Sequence, residues 1–230
     1  MIMRAASVQL SGGLGNQLWQ ISAALVAGAD MICPDLCACS PHAAWIARNC
    51  LHFERPAESM QALCRMAAGY YQSLRYAAAP ANVLRYVVPV AAEALPCVVH
   101  LRAGDYLHHA AYAATVPTAE VLRARVARLG VPDDEVLVVT DDAATAARLC
   151  PQWCCQTGSL LRDFWTLCGA ERLVMSSSTM SWWAAYCGNA RRVIFPRLWP
   201  ADYGASTDDA TCARRGVDLV FDSDRCVIHE

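Results

Sequence analysis

Short apolar runs alternate with stretches of helical spacing along much of this chain, most regularly beyond residue 96. Cys97–Leu101, Glu135–Thr140, Arg172–Met175 and Val193–Phe195 read as strands, because each is a brief apolar run closed by polar or turn-forming residues. Between them Ala119–Leu129, Ala143–Leu149, Ser159–Cys168 and Thr179–Cys187 carry helical spacing. Strands alternating with helices predict an α/β fold whose parallel sheet is covered on both faces. In such sheets ligands bind beyond the carboxyl ends of the strands.

Nearer the start the pattern is less regular. Ala6–Leu10 predicts a strand, Ser11–Gly15 a turn, and a helix opens near Asn16 and runs to Ala27, with Leu18, Ile21, Leu25 and Ala29 on one apolar face. Spacing alone suggests a second helix between Met60 and Tyr76. Ala77–Leu95, with Pro80 and Pro89 inside it and Pro96 just beyond, is the candidate linker. The expected division is therefore an N-terminal half over residues 1–92 and a C-terminal half over residues 93–230.

Composition narrows the function classes. A net charge of −2 over 230 residues gives no electrostatic footprint for nucleic acid. The basic clusters at Arg123, Arg125 and Arg128 and at Arg191 and Arg192 read as solvated faces. No basic segment followed by a continuous apolar stretch opens the sequence, and no apolar run approaches the roughly 20 residues that span a bilayer. The expectation is a cytoplasmic protein without a membrane span. Its 13 cysteines are an odd number, read as reduced thiols that pack as small hydrophobes. Cys33, Cys37, Cys39 and Cys50 do not have the spacing of a paired zinc knuckle, and Cys154 and Cys155 are adjacent, so no metal site is expected.

Three segments at predicted strand ends carry candidate chemistry. Gly12-Gly13-Leu14-Gly15-Asn16-Gln17 lets backbone amides approach a ligand, although an ordinary strand-to-helix turn would use the same glycines. His100-Leu101-Arg102-Ala103-Gly104-Asp105-Tyr106 supplies a guanidinium suited to bidentate diphosphate binding. Ser176-Ser177-Ser178-Thr179 opens a helix with hydroxyls and amides that can cap it or receive a phosphate. Trp182 and Trp183, which follow, read as core. Thr140-Asp141-Asp142 ends another strand, and Asp163 lies near the start of a helix.

Together these segments resemble glycosyltransferase family 11, the α-1,2-fucosyltransferases, and more distantly the protein O-fucosyltransferases. The marks are GGLGNQ at 12–17, HLRAGDY at 100–106, TDD at 140–142 and SSTMSWWAAY at 177–186, in the family's order. Ala103 stands where the family has a second arginine, Ser177 where it has asparagine, and Met180 where it has phenylalanine. The resemblance implies a GT-B fold: two Rossmann-like halves, the first on the acceptor side and the second binding the GDP-sugar, with the donor in the cleft. It implies inverting transfer of L-fucose from GDP-fucose to a glycan hydroxyl, without a metal or other cofactor.

It also implies roles for particular residues. Gly13, Gly15, Asn16, His100, Arg102, Asp163, Ser178 and Thr179 would bind the donor, with Asp163 reading guanine and Arg102 stabilising the leaving diphosphate. Arg102 and His100 are the catalytic candidates. By position alone Asp105, beside His108 and His109, is either the candidate base or a turn residue that only orients the loop. Three alternatives remain within the same sequence. One is a GDP-sugar-binding module without turnover. Another is a transferase that uses a different GDP-sugar or a protein acceptor. The third is a metal-dependent transferase using Asp222-Ser223-Asp224.

Overall fold

In a computed structural model of the chain the described residues are 4–53, 62–66, 69–91, 93–196, 219 and 226–229. Residues up to Val88 make up most of one compact unit, and those from Pro89 onward most of a second.

In the N-terminal unit Ala5–Val8 (β1) leads through Leu14–Val26 (α1) to Met31–Pro34 (β2), then through Pro41–Cys50 (α2) to Ala62–Arg65 (β3). Both β2 and β3 pair parallel to β1, giving the order β2-β1-β3. The expected helix between Met60 and Tyr76 is therefore corrected. Its described part holds β3 and a 3-10 turn over Leu74–Tyr76, because pairing with the central strand outweighs local helical spacing. β2 and α2 lie outside the expected pattern, although Ser40 followed by Pro41 is a start signal: the Ser40 hydroxyl accepts from the Ala43 amide at 3.3 Å. The expected linker carries structure too. Pro80–Leu84 (α3) buries Val83 and packs against α1, and Leu51 bridges Val87.

The C-terminal unit runs Cys97–Leu101 (β4), Ala110–Ala113 (α4), Ala119–Leu129 (α5), Val136–Thr140 (β5), Ala143–Leu149 (α6), Cys154–Gln156 (β6), Leu160–Cys168 (α7), Arg172–Val174 (β7), Thr179–Cys187 (α8), Arg192–Phe195 (β8) and Cys226–His229 (β9). All six strands are parallel, in the order β6-β5-β4-β7-β8-β9. Taken in chain order that is 3-2-1-4-5-6, the arrangement of Rossmann-like sheets. Every residue of β4 is buried, as a central parallel strand requires. One sheet face, with Val99, Leu101, Val138, Val174 and Ile194, packs on Leu122, Val126 and Leu129 of α5. α7 covers β4 and β5 and lies beside α8. Trp182 and Trp183 are fully buried, as expected of core residues.

Helix boundaries in this unit follow local chemistry. Thr118 accepts from the Val121 amide at 3.3 Å to start α5, and Gly130 ends it with φ of +67°. Ser159 starts α7 in the same way, accepting from the Arg162 amide at 3.3 Å. No helix among the described residues is long and apolar enough to cross a membrane.

Thr118→Ala removes the side chain that caps α5 and should cost about 1 kcal/mol. Urea denaturation would show it as a lower midpoint with an unchanged slope.

Candidate functional site

From β4 the chain winds outward through β5 to β6, then crosses back to place β7 on the other side of β4. The connections after β4 and β7 therefore leave in opposite directions, and in open α/β sheets this is where a crevice forms between the two carboxyl ends. His100, the fourth residue of β4, and Ser176, just past β7, meet across that line with Nδ1 and Oγ 2.8 Å apart. Tyr106 reaches over the same line, its hydroxyl donating to the Ser177 carbonyl at 2.7 Å. His100 is only 4% exposed. Burial, with Arg102 adding to it and Asp141 opposing, lowers its pKa to about 4, so the imidazole is neutral at neutral pH.

Arg102 is held on three sides. Its Nη1 lies 2.8 Å from Asp141 Oδ2, its Nη2 lies 2.8 Å from Asp105 Oδ1, and its guanidinium stands 5.5 Å from the centre of the Tyr106 ring. The two carboxylates differ in setting: the Asp105 side chain is 68% exposed, that of Asp141 27%. Asp141 Oδ1 also accepts from the amides of Ala103 and Gly104, at 2.9 and 3.2 Å. A Cβ on Gly104 would sit 2.8 Å from Asp141 Oδ2, so the loop lies this close only because residue 104 is glycine. Tyr106 in turn stacks on Tyr112, and His109 leans on the same ring. His108 and His109 are exposed.

Two helix starts complete the C-terminal site. Ser178 is the N-cap of α8 but makes no capping bond through its hydroxyl; its amide donates to the Ser176 carbonyl at 2.8 Å. Thr179 is the first helical residue. The first amides of a helix have no intrahelical partner, and with the helix dipole they favour an anion. Asp163, in the first turn of α7, accepts from Gln156 Nε2 at 3.0 Å and from the Gly158 amide at 3.1 Å, both on Oδ1. Burial raises its pKa; those two bonds and the charge of Arg162 work against the rise, and the charge of Asp141 adds a little to it. Asp163 and Asp141 both follow strands at the same end of the sheet.

In the N-terminal unit the turn after β1 is tighter than expected. α1 begins at Leu14, so Gly15 and Asn16 are helical, Gly15 is buried, and of the three expected residues only Gly13, the N-cap, lies outside the helix. Gly12 supplies the turn with φ of +71°, where a Cβ would also meet Asn16 Nδ2 at 2.5 Å. The rest of the motif braces this turn. Gln17 is fully buried and donates to the carbonyls of Gly12 and Ala43, and Gln20 exchanges hydrogen bonds with Ser11. Asn16 Oδ1 accepts from Gln72 at 2.8 Å.

The structure thus brings His100, Arg102, Asp105, Asp163, Ser178 and Thr179 to one end of the C-terminal sheet. Gly13, Gly15 and Asn16 belong to the other unit. The individual roles of Asp141 and Ser176 are not visible in the sequence. Position after a strand is their only local signal, and their partners lie 38 and 76 residues away. Asp142, beside Asp141, serves another end: it caps α6, accepting from the Thr145 amide and hydroxyl at 3.0 and 2.7 Å. Among the described residues no group of three or more His, Cys, Asp or Glu is placed to hold a metal ion. Asp222 and Asp224 lie outside the described residues. No protein-family model, curated protein or solved structure matches the chain.

The neutral His100 has a measurable signature. Its folded pKa of about 4 lies below the usual 6.5, so the unfolded chain takes up the proton first. Its contribution is full above pH 6.5 and is lost as pH falls towards 4, about 3 kcal/mol at most. Asp163, with its pKa raised, acts in the opposite sense in the carboxylate range, so the comparison with His100→Asn isolates the histidine. Denaturation at stepped pH should show a shallower decline between pH 6.5 and 4 for that variant than for the parent protein.

Proposed function

We propose that the chain is a GT-B-type inverting fucosyltransferase that moves L-fucose from GDP-fucose to a glycan hydroxyl. One observation carries the reading: a guanidinium fork, a buried neutral histidine and a hydroxyl-rich helix start meet where the winding of a parallel sheet reverses. Each of the four sequence marks of the fucosyltransferases contributes to the strand-end sites of the two units. The fork and the first amides of α8 suit a diphosphate, which needs directed donors rather than diffuse positive charge.

In this reading Arg102, Ser178 and Thr179 hold the diphosphate, His100 lines the nucleotide pocket, and Asp163 accepts from guanine N1 and N2. The acceptor oxygen forms its bond to fucose C1 as the bond from C1 to the β-phosphate oxygen breaks, and the phosphate keeps the electron pair. Arg102 stabilises the charge that develops there, an interaction stronger in the transition state than in the ground state. No metal is used in this scheme. Asp105 is not assigned the base in this scheme: its carboxylate lies 2.8 Å from Arg102 Nη2 and is given no contact with the acceptor. The acceptor proton passes instead to the departing phosphate.

A second reading is favoured by position 103. Its alanine is fully buried and belongs to the hydrophobic core cluster, so this position offers no second guanidinium beside Arg102. A GDP-sugar-binding module would keep affinity without turnover. Donor hydrolysis or transfer, measured beside binding, separates the two readings.

GDP and GDP-fucose should raise the melting temperature and UDP should not; ligand at 100 times its Kd stabilises by about 2.7 kcal/mol. Arg102→Ala should lower turnover on the order of 10²–10³-fold, and Arg102→Lys should recover little of it, because a point charge cannot replace the fork. Near-normal transfer by Arg102→Ala would remove Arg102 from the mechanism.

Asp163→Asn should weaken GDP by about tenfold or more while leaving inorganic pyrophosphate unaffected, since only the former presents guanine. Equal loss for both ligands, or for neither, would show that Asp163 does not read the base.

A further inference from the structure

The two carboxylates on Arg102 look equivalent by distance, at 2.8 Å each, yet they differ in everything else. Asp141 comes from the end of β5, the neighbour of β4 across five consecutive residue pairs, and is fixed by strand pairing. With one oxygen it faces Nη1 of Arg102, and with the other it gathers the amides of Ala103 and Gly104. Asp105 comes from the loop itself, three residues past the arginine, and its only polar contact among the described residues is Nη2. Its side chain is 68% exposed.

From this asymmetry the geometry points to a division of labour on the fork. Asp141 is a positioning residue that fixes the direction in which Arg102 presents its donors, and Asp105 is a built-in competitor for the edge that a diphosphate must take. This rests on the proposed diphosphate site and adds to it a role for each carboxylate.

Each bond constrains something different. A guanidinium donates in one plane, so an acceptor fixed at Nη1 sets the direction of the donors at Nη2. Asp141 also sets where the strand-end loop runs, because it holds the two amides that follow Arg102. Tyr106 limits the remaining freedom by lying against the guanidinium while its hydroxyl is anchored on Ser177. Asp105 has no such second anchor. An exposed pair of this kind contributes little net stability and exchanges readily with other anions.

Opposite signs are expected for the two carboxylates. Coulomb's law alone says that removing either should strengthen anion binding, because each is a negative charge close to the site. If Asp141 positions the fork, Asp141→Asn should instead weaken it, while Asp105→Asn strengthens it. A general loss of structure would weaken binding in both.

The test is calorimetric titration of the full chain with inorganic pyrophosphate and, separately, with GDP. Asp105→Asn should bind both roughly two- to fivefold more tightly than the parent protein. Asp141→Asn should bind both about tenfold more weakly. Gly104→Ala provides the variant that changes no charge. Its Cβ would stand 2.8 Å from Asp141 Oδ2 and press that oxygen away from Arg102 Nη1, so affinity should again fall. It also keeps the question open to decision if Asp141→Asn does not fold.

Affinity rising in both Asp variants would leave only Coulomb repulsion and overturn the positioning role. Unchanged affinity in Asp105→Asn with turnover lost would make Asp105 a base and overturn the competition. Pyrophosphate binding that shows the opposite signs, without any preference for GDP over UDP, would uphold this inference and reject the fucosyltransferase reading. A parent protein that binds neither pyrophosphate nor GDP would overturn both.

Discussion

The reversal of winding between β4 and β7 is the constraint on which the C-terminal unit depends. A parallel strand must be followed by a crossover, and crossovers on opposite sides of one strand pull its end loop and that of its neighbour apart. The crevice is therefore a consequence of strand order, before any side chain is chosen. What the side chains do is bind the crevice's two walls together. His100 meets Ser176, and Tyr106 meets the Ser177 carbonyl, so the walls are joined once at the level of the sheet and once above it. A histidine in that place must be neutral, because burial penalises its charge and Arg102 repels it, and Asp141 offsets this only in part.

Most of the C-terminal fold is legible in the sequence, and the reasons are specific. Cys97–Leu101, Ala119–Leu129, Ala143–Leu149 and Thr179–Cys187 have the bounds expected, since each apolar or amphipathic stretch is closed by Gly, Pro, Ser, Thr or Asp acting as a cap or turn. Cys154–Gln156 escapes the pattern because an edge strand with exposed cysteines lacks the apolar run that marks a buried one. Ala62–Arg65 escapes it because its identity is decided by β1, more than fifty residues earlier, and not by its own spacing. α1 starts two residues before the expected Asn16: glycine at 15 looks like loop, yet it is buried in the first turn of the helix.

The candidate site is legible in pieces and not as a whole. Each motif announces itself by polar residues at the end of an apolar run. Nothing local says that Asp141 reaches the amides of Ala103 and Gly104, or that Asp142 next to it turns away to cap α6. That distinction arises from the pairing of β4 with β5, which sets Leu101 beside Thr140 and so puts residue 141 next to the loop. Gly104 is a similar case. In the sequence it belongs to a Gly-Asp turn; in the structure it is the position where a carboxylate needs room.

The fixed charges at this end of the sheet bear on how it could hold an anion at all. Arg102 is flanked by the carboxylates of Asp105 and Asp141, and beyond them Asp163 feels the charge of neighbouring Arg162. These groups carry no excess of positive charge, so diffuse attraction would not be the basis of any anion binding here. Directed donors can be: the fork, whose orientation is fixed from behind, and the first amides of α8, whose direction is fixed by the helix. Directed donors also set the state of Asp163. Burial favours its protonated form, while the donors of Gln156 and Gly158 stabilise the ionised one. Both bonds fall on Oδ1, which orients Oδ2 without occupying it. A site of this composition would select a ligand by the placement of donors and acceptors, so displacement of a single oxygen at Asp141 should matter more than the addition or loss of a surface charge.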